Sequence, residues 1–105
     1  MIQQKIADMI CRTEGARGVV YRLGRMKDAG VERASMEASL AKLMASEAAT
    51  QNALDGIQIH GGYGVTAEYE IGRLLLEAKV LEIGEGTSEL HRKLIAEHVL
   101  GLRSQ

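Results

Sequence analysis

The chain has 105 residues, of which 46% are hydrophobic and 26% charged, and its net charge is −1. That length builds one small domain or a piece of a larger protein, with one core and not two. The near-neutral charge gives no ground to expect nucleic acid or an anionic membrane as partner, and the short apolar runs leave no transmembrane span.

The opening MIQQKIADMI sets Lys5 and Asp8 among its apolar residues, so it reads as a helix and not as a signal peptide. Ile2, Ile6, Met9, Thr13, Ala16, Val20 and Leu23 recur at helical spacing and predict one buried stripe, with Ile10 and Val19 as a second apolar edge. Cys11 lies in this helix and is expected to be a small buried hydrophobe. As the lone cysteine it forms no intramolecular disulfide, which fits a reducing compartment. Gly15, Gly18 and Gly24 each cost roughly 1 kcal/mol relative to Ala and are expected to admit a close neighbour. KDAG ends the helix, with Gly30 just past its last turn.

A second helix is predicted from Glu32 to about Ile57, apolar on two faces. Alanines from Ala34 to Ala49 make one face; Met36, Leu40, Leu43 and Met44 make the other. Such a helix sits between partners, and the short connection makes the first two helices an antiparallel hairpin. QIHGGYG (58–64) is read as a turn. Thr66 is the expected cap of a third helix, with Glu68 and Glu70 in its first turn and Ile71, Leu74, Leu75 and Ala78 as its apolar side. Residues 79–83 read equally as helix or extended chain. A fourth helix starts at Thr87 or Ser88 and ends near Gly101, with Leu90, Leu94, Ile95 and Val99 inward. No segment has a period-two pattern, so the class is all-α. With no Pro, Phe or Trp, the core falls to Leu, Ile, Met and Ala. That favours close-packed long helices and leaves apolar surface for another domain or subunit.

Chemistry-bearing residues are few. His60, His91 and His98 lack metal-ligand spacing, and no metal is expected. The charges of RLGRMK (22–27) are a solvated helix face. The glycines of QIHGGYG serve a tight turn or the close approach of a phosphate-bearing ligand. In GEGTSE, Glu85 stands between two glycines directly ahead of a helix start. Thr87 or Ser88 capping explains part of this pattern. A helix N-terminus also suits a pyrophosphate, and a glycine-flanked acid aimed into an apolar cleft has its pKa raised toward a base's working range.

Read in order, KIADMICRTEGARGVVYRLGRMKDAG, QIHGGYGVTAEYEIGRLLLEAKV and EIGEGTSELHRKLIAEHVLG resemble the C-terminal domain of the acyl-CoA dehydrogenase family over nearly the whole chain. The resemblance implies an up-down helical bundle that lacks the family's first bundle helix. Residues 1–105 would form that single domain, with the family's N-terminal helical and middle β domains absent from the chain. It implies FAD as cofactor and an acyl-CoA thioester as substrate, desaturated at its 2,3-bond in fatty acid or amino acid catabolism. By the same resemblance Glu85 removes the α-proton, Gly86 lies beside the substrate, and Thr87, Ser88 and Glu89 lie at the flavin. Gln58, Ile59, His60, Gly61 and Gly62 resemble the stretch that embraces the ADP part of FAD across a subunit interface. The expected partners are the missing domains or another subunit, together with copies of the chain itself. The expected location is the cytoplasm, or the mitochondrial matrix in a eukaryote, and the chain alone is expected to be inactive. Gly84 stands where the family commonly has an aromatic, which opens the acyl pocket; Glu85 argues against the nitroalkane-oxidising relatives, which use aspartate. A non-catalytic oligomerisation module retaining these residues is the alternative.

Overall fold

The computed structural model describes residues 2–66, 70–84 and 86–102. Four helices follow one another: α1 (Ile2–Asp28), α2 (Ser35–His60), α3 (Ile71–Ile83) and α4 (Ser88–Leu100), with a 3-10 turn over Gly61–Val65. No strand occurs among the described residues. The class is all-α, as the sequence predicts.

α2 is the axis, and the other three helices pack on it. Its antiparallel pairing with α1 is read from two ion pairs at opposite ends: Arg12 to Asp55 at 2.6 Å and Arg22 to Glu37 at 3.9 Å. α3 also runs antiparallel to α2, since Ile71 meets Gly56 while Glu82 receives a hydrogen bond from Thr50. α4 keeps the direction of α3, because Arg92 pairs with Glu47 at 2.6 Å and His98 shares a cavity with Ser35 and Ser39. So α3 and α4 lie end to end along one flank of α2. Each half of that 26-residue helix, about 39 Å long, is covered by one of them. The molecule is accordingly elongated, 50 × 23 × 22 Å, with a radius of gyration of 16.1 Å. A closed domain of this length has about 13 Å.

The interfaces close on small side chains. Ala16, Ala41, Ala53 and Ala78 are buried, as are Ser39, Ser46 and Thr50. Helices can approach closely over such residues, and the larger Met and Leu side chains of α2 fill the flanks half-buried. Many large apolar groups remain outside, among them Ile2, Ile10, Leu76, Val80 and Val99, with Val80 69% exposed. An apolar groove between α1 and α3 runs over α2, bounded by Met9, Ala49, Ala53, Ile71, Leu74 and Leu81.

Several local expectations change. The inward line of α1 is Met9, Arg12, Ala16, Val19, Leu23 and Met26; Ile2, Ile6, Thr13 and Val20 are exposed. The predicted stripe is rotated because a polar cluster sets the face. Arg12 bonds Asp55 and Asn52, and the Asn52 amide donates to Thr13 Oγ1 at 3.0 Å. The Arg12 guanidinium also holds the Asp55 carboxyl below its ordinary pKa. Cys11 is exposed, one position off that line. α1 stops as expected at Gly30 (φ 88°): Val31 N–H bonds Met26 O at 3.0 Å and Gly30 N–H bonds Lys27 O at 3.1 Å, a Schellman closure. α2 begins at Ser35, later than predicted, because Ala34 takes φ −134° and ψ 46°. It continues through His60, so Gln58, Ile59 and His60 are helical and only Gly61 breaks the ladder. α3 is preceded by Glu70, not Thr66, at its cap position. Residues 79–83 are helical. Glu68 lies outside the described residues.

Candidate functional site

The turn between α3 and α4 lies midway along α2. Gly84 closes α3, its N–H bonded to Val80 O at 2.9 Å, and then leaves in an extended conformation (φ −65°, ψ 143°). Glu85 lies outside the described residues. Gly86 has φ 110°, and a Cβ there would stand 3.0 Å from His91 Nε2 and 3.4 Å from Leu90 Cδ2. Glycine is therefore required twice over, by backbone conformation and by the packed imidazole. Thr87 is the N-cap of α4, as one of the two predicted candidates, and its Oγ1 accepts from Leu90 N–H at 3.2 Å.

Glu82 locks this turn to α2. Thr50 donates to its Oε2, and Ser88 Oγ bonds its Oε1 at 3.4 Å. Lys79 lies 3.6 Å from the carboxylate, and Lys42 Nζ donates to the Glu82 carbonyl at 3.4 Å. The side chain is only 14% exposed. The Thr50 hydrogen bond is the largest influence and holds the Glu82 carboxyl below its ordinary pKa; Lys79 and Ser88 act the same way, and burial opposes them. The Glu82–Ser88 bond therefore bridges both ends of the turn, and the Thr50 bond ties it to the axis. Nothing in the sequence pattern singled out Glu82 or Thr50, because their meeting spans 32 positions.

His91 is the other unforeseen neighbour. Both of its ring nitrogens are buried without a hydrogen-bond partner among the described residues. Such orphaned groups cost about 1–3 kcal/mol. The ring fills the space behind Gly86.

The second predicted stretch sits elsewhere. Gln58, His60, Gly61 and Gly62 are exposed at the C-terminal end of α2, while Ile59 is half-buried beside Ile6 and Ile10. His60 Nδ1 is 2.7 Å from Gly56 O, and Gly61 turns the chain at φ 67°. No atom of the described residues crowds a Cβ position at Gly61 or Gly62, which leaves that backbone approachable. Ten residues of α2 separate His60 from Thr50, about 15 Å along the axis. One chain therefore does not bring 58–62 and 87–89 into a single compact site. The amides of Ser88 and Glu89 head α4 without intrahelical acceptors, and Glu89 is exposed there, so this helix end can receive an anionic or hydrogen-bonding group. Among the described residues no three His, Cys, Asp or Glu side chains converge as a metal site. Among the described residues no helix is long and apolar enough to cross a membrane.

Residues 1–100 match the family model for the acyl-CoA dehydrogenase C-terminal domain. An acyl-CoA dehydrogenase of Bacillus subtilis (strain 168) is 46% identical over 100 residues, covering 95% of this chain and 26% of that protein. The chain thus spans about a quarter of that relative's length. Among solved structures, the prolyl acyl carrier protein oxidase AnaB superposes with a TM-score of 0.89 at 37% identity, over 93% of this chain and 26% of its own. PigA with FAD and proline superposes at 0.88 and 34% identity, over 98% and 26% respectively.

Proposed function

The chain belongs to the acyl-CoA dehydrogenase family, matching its C-terminal domain, and from that premise we propose that it supplies the flavin-side, base-bearing helical part of an enzyme that desaturates an acyl thioester. The supporting observation is that the helix ends flanking Glu85 in sequence are tied to each other and to α2 through Glu82, Ser88 and Thr50. A base must be aimed and shielded to remove a weakly acidic α-proton, and a turn held from both sides is suited to that task. Glu85 accepts the proton, and Gly86 leaves room beside the substrate. FAD, if bound, would supply the acceptor for the β-hydride.

The residues present fit part of a flavin site. Thr87, Ser88 and Glu89 would meet it at the start of α4. Gln58, Ile59, His60, Gly61 and Gly62 would meet the ADP part of a flavin held mainly by a partner copy, as the family resemblance implies. FAD in one solved relative's complex agrees with this cofactor. The thioester carrier is coenzyme A by family, while the name of the AnaB relative points to acyl carrier protein as a second possibility. The reading places the protein in the cytoplasm or mitochondrial matrix.

In the enzyme completed by the other domains, Glu85→Gln abolishes exchange of the substrate α-proton and leaves flavin bound; undiminished exchange would refute the role of Glu85. For the chain itself, the test is a visible spectrum after incubation with FAD and removal of free flavin. A retained, perturbed band supports a cofactor surface built by the bundle. Loss of all flavin makes the chain a structural part only. The exposed faces of Ile2, Ile10, Leu76 and Val80 favour self-association, in either a catalytic or a purely assembling role. Sedimentation is expected to give a dimer or larger species, and a strict monomer at all concentrations counts against it.

A further inference from the structure

The N-terminus of α2, at the far end from Gly61, has no part in the proposed chemistry. Ala34 holds the cap position, is 4% exposed and offers no side-chain acceptor. The amides of Ser35, Met36 and Glu37 have no hydrogen-bond acceptor among the described residues. Such N–H groups need a side chain, water or ligand as partner. A cavity of about 300 Å³ opens against it, between the start of α2 and the last turns of α4. Ser39 lines the cavity, is 6% exposed, and makes no hydrogen bond with a described residue. Ser46, two turns further on, instead returns its hydroxyl to Lys42 O at 2.7 Å. Arg33 stands at the rim without an ion pair among the described residues, and His98 forms the opposite wall.

The competing charges are accounted for. Glu37 also lines the cavity, but Arg22 faces its carboxylate at 3.9 Å. The carbonyls of Glu97 and His98 at the end of α4 are occupied by Leu102 N–H at 2.8 Å and Gly101 N–H at 3.2 Å. The cavity therefore presents donors and positive charge: three amides at a helix N-terminus, the hydroxyl of a buried serine and a guanidinium. We infer that it binds a phosphate-type oxyanion, with the α2 amides and Ser39 Oγ donating and Arg33 pairing. Its volume is at the lower end of ligand cavities, enough for a phosphate group and little more.

Amide NMR of the chain, titrated with inorganic phosphate against chloride at matched ionic strength, tests this. Saturable shifts are expected at Ser35, Met36 and Glu37, with a midpoint on the order of 1 mM. Ser39→Ala and Arg33→Gln should each raise that midpoint about fivefold or more without changing the melting temperature. Adenosine monophosphate binding more tightly than phosphate identifies a nucleotide as the natural source; equal binding identifies free phosphate. The assignment is overturned if phosphate gives no saturable shift, if chloride reproduces the shifts, or if both variants bind as the parent does.

Discussion

Two glycine turns follow the long axis helix, and they are held by different physics. The first, 61–66, is held by its own backbone: a Cβ on Gly64 would stand 2.7 Å from Ile57 O and 3.0 Å from Ile57 Cα. The second lies between α3 and α4, and the helix ends on either side of it are held by side chains, through Glu82, Thr50, Ser88 and Thr87. Backbone packing makes a turn rigid and indifferent to its medium. Polar side chains make a turn whose position depends on protonation and on what binds nearby, which suits the segment that carries Glu85.

Substitutions can break that contrast. Gly64→Ala should have the largest effect, about 3 kcal/mol in a thermal or denaturant melt, because the clashing atoms belong to α2's backbone and cannot rotate away. Gly62→Ala, two positions earlier and facing open space, should stay within about 0.5 kcal/mol. Equal losses at both sites would remove the distinction drawn for the first turn.

Gly86→Ala should cost about 1–3 kcal/mol, from the positive φ and from His91. Only the second part is relieved by His91→Ala, so the double variant should be less destabilised than the sum of the singles. Strict additivity would show that the imidazole does not crowd Gly86.

The acid limb sharpens the comparison further. The Thr50 hydrogen bond holds the folded-state pKa of Glu82 below the ordinary carboxylate value of 4.5. Its contribution is therefore present above the unfolded pKa and lost as pH falls through the folded value. Thr50→Val should flatten this part of the stability–pH curve below about 4.5 and leave Gly64 variants' pH dependence unchanged. An unaltered acid limb in Thr50→Val would mean that Glu82 does not anchor the turn. The smallest effect belongs to Thr87→Ala, which removes the cap of α4 at a cost of about 1 kcal/mol, with Thr87→Ser restoring most of it.

The four helices were legible in the sequence because propensity, periodicity and end signals agree locally. Gly30 and Gly101 stop α1 and α4 by the same Schellman closure, and Thr87 caps α4, all within six residues of chain. The α1 face was misjudged because periodicity weighs apolar residues alike. The true line passes through Arg12, whose partners Asn52 and Asp55 lie about forty positions away. Thr66 looked like a cap by residue type, yet α3 begins after Glu70. The candidate site divides the same way: Thr87 and Gly86 were visible as a helix start and a glycine turn, while Glu82, Thr50 and His91 were not.

By itself, then, the sequence determined an all-α chain with a central helix apolar on two faces, an acid on a glycine turn, and the family to which those motifs belong. These follow from interactions within a few residues, where side-chain type and spacing set the outcome. Only the tertiary structure decided that α3 and α4 lie end to end on α2, that the two glycine turns meet different parts of that helix, and that a cavity lined by Ser39 opens at its start. Those facts depend on which faces meet across tens of residues, and such meetings are settled by packing and by burial of charge, not by local pattern.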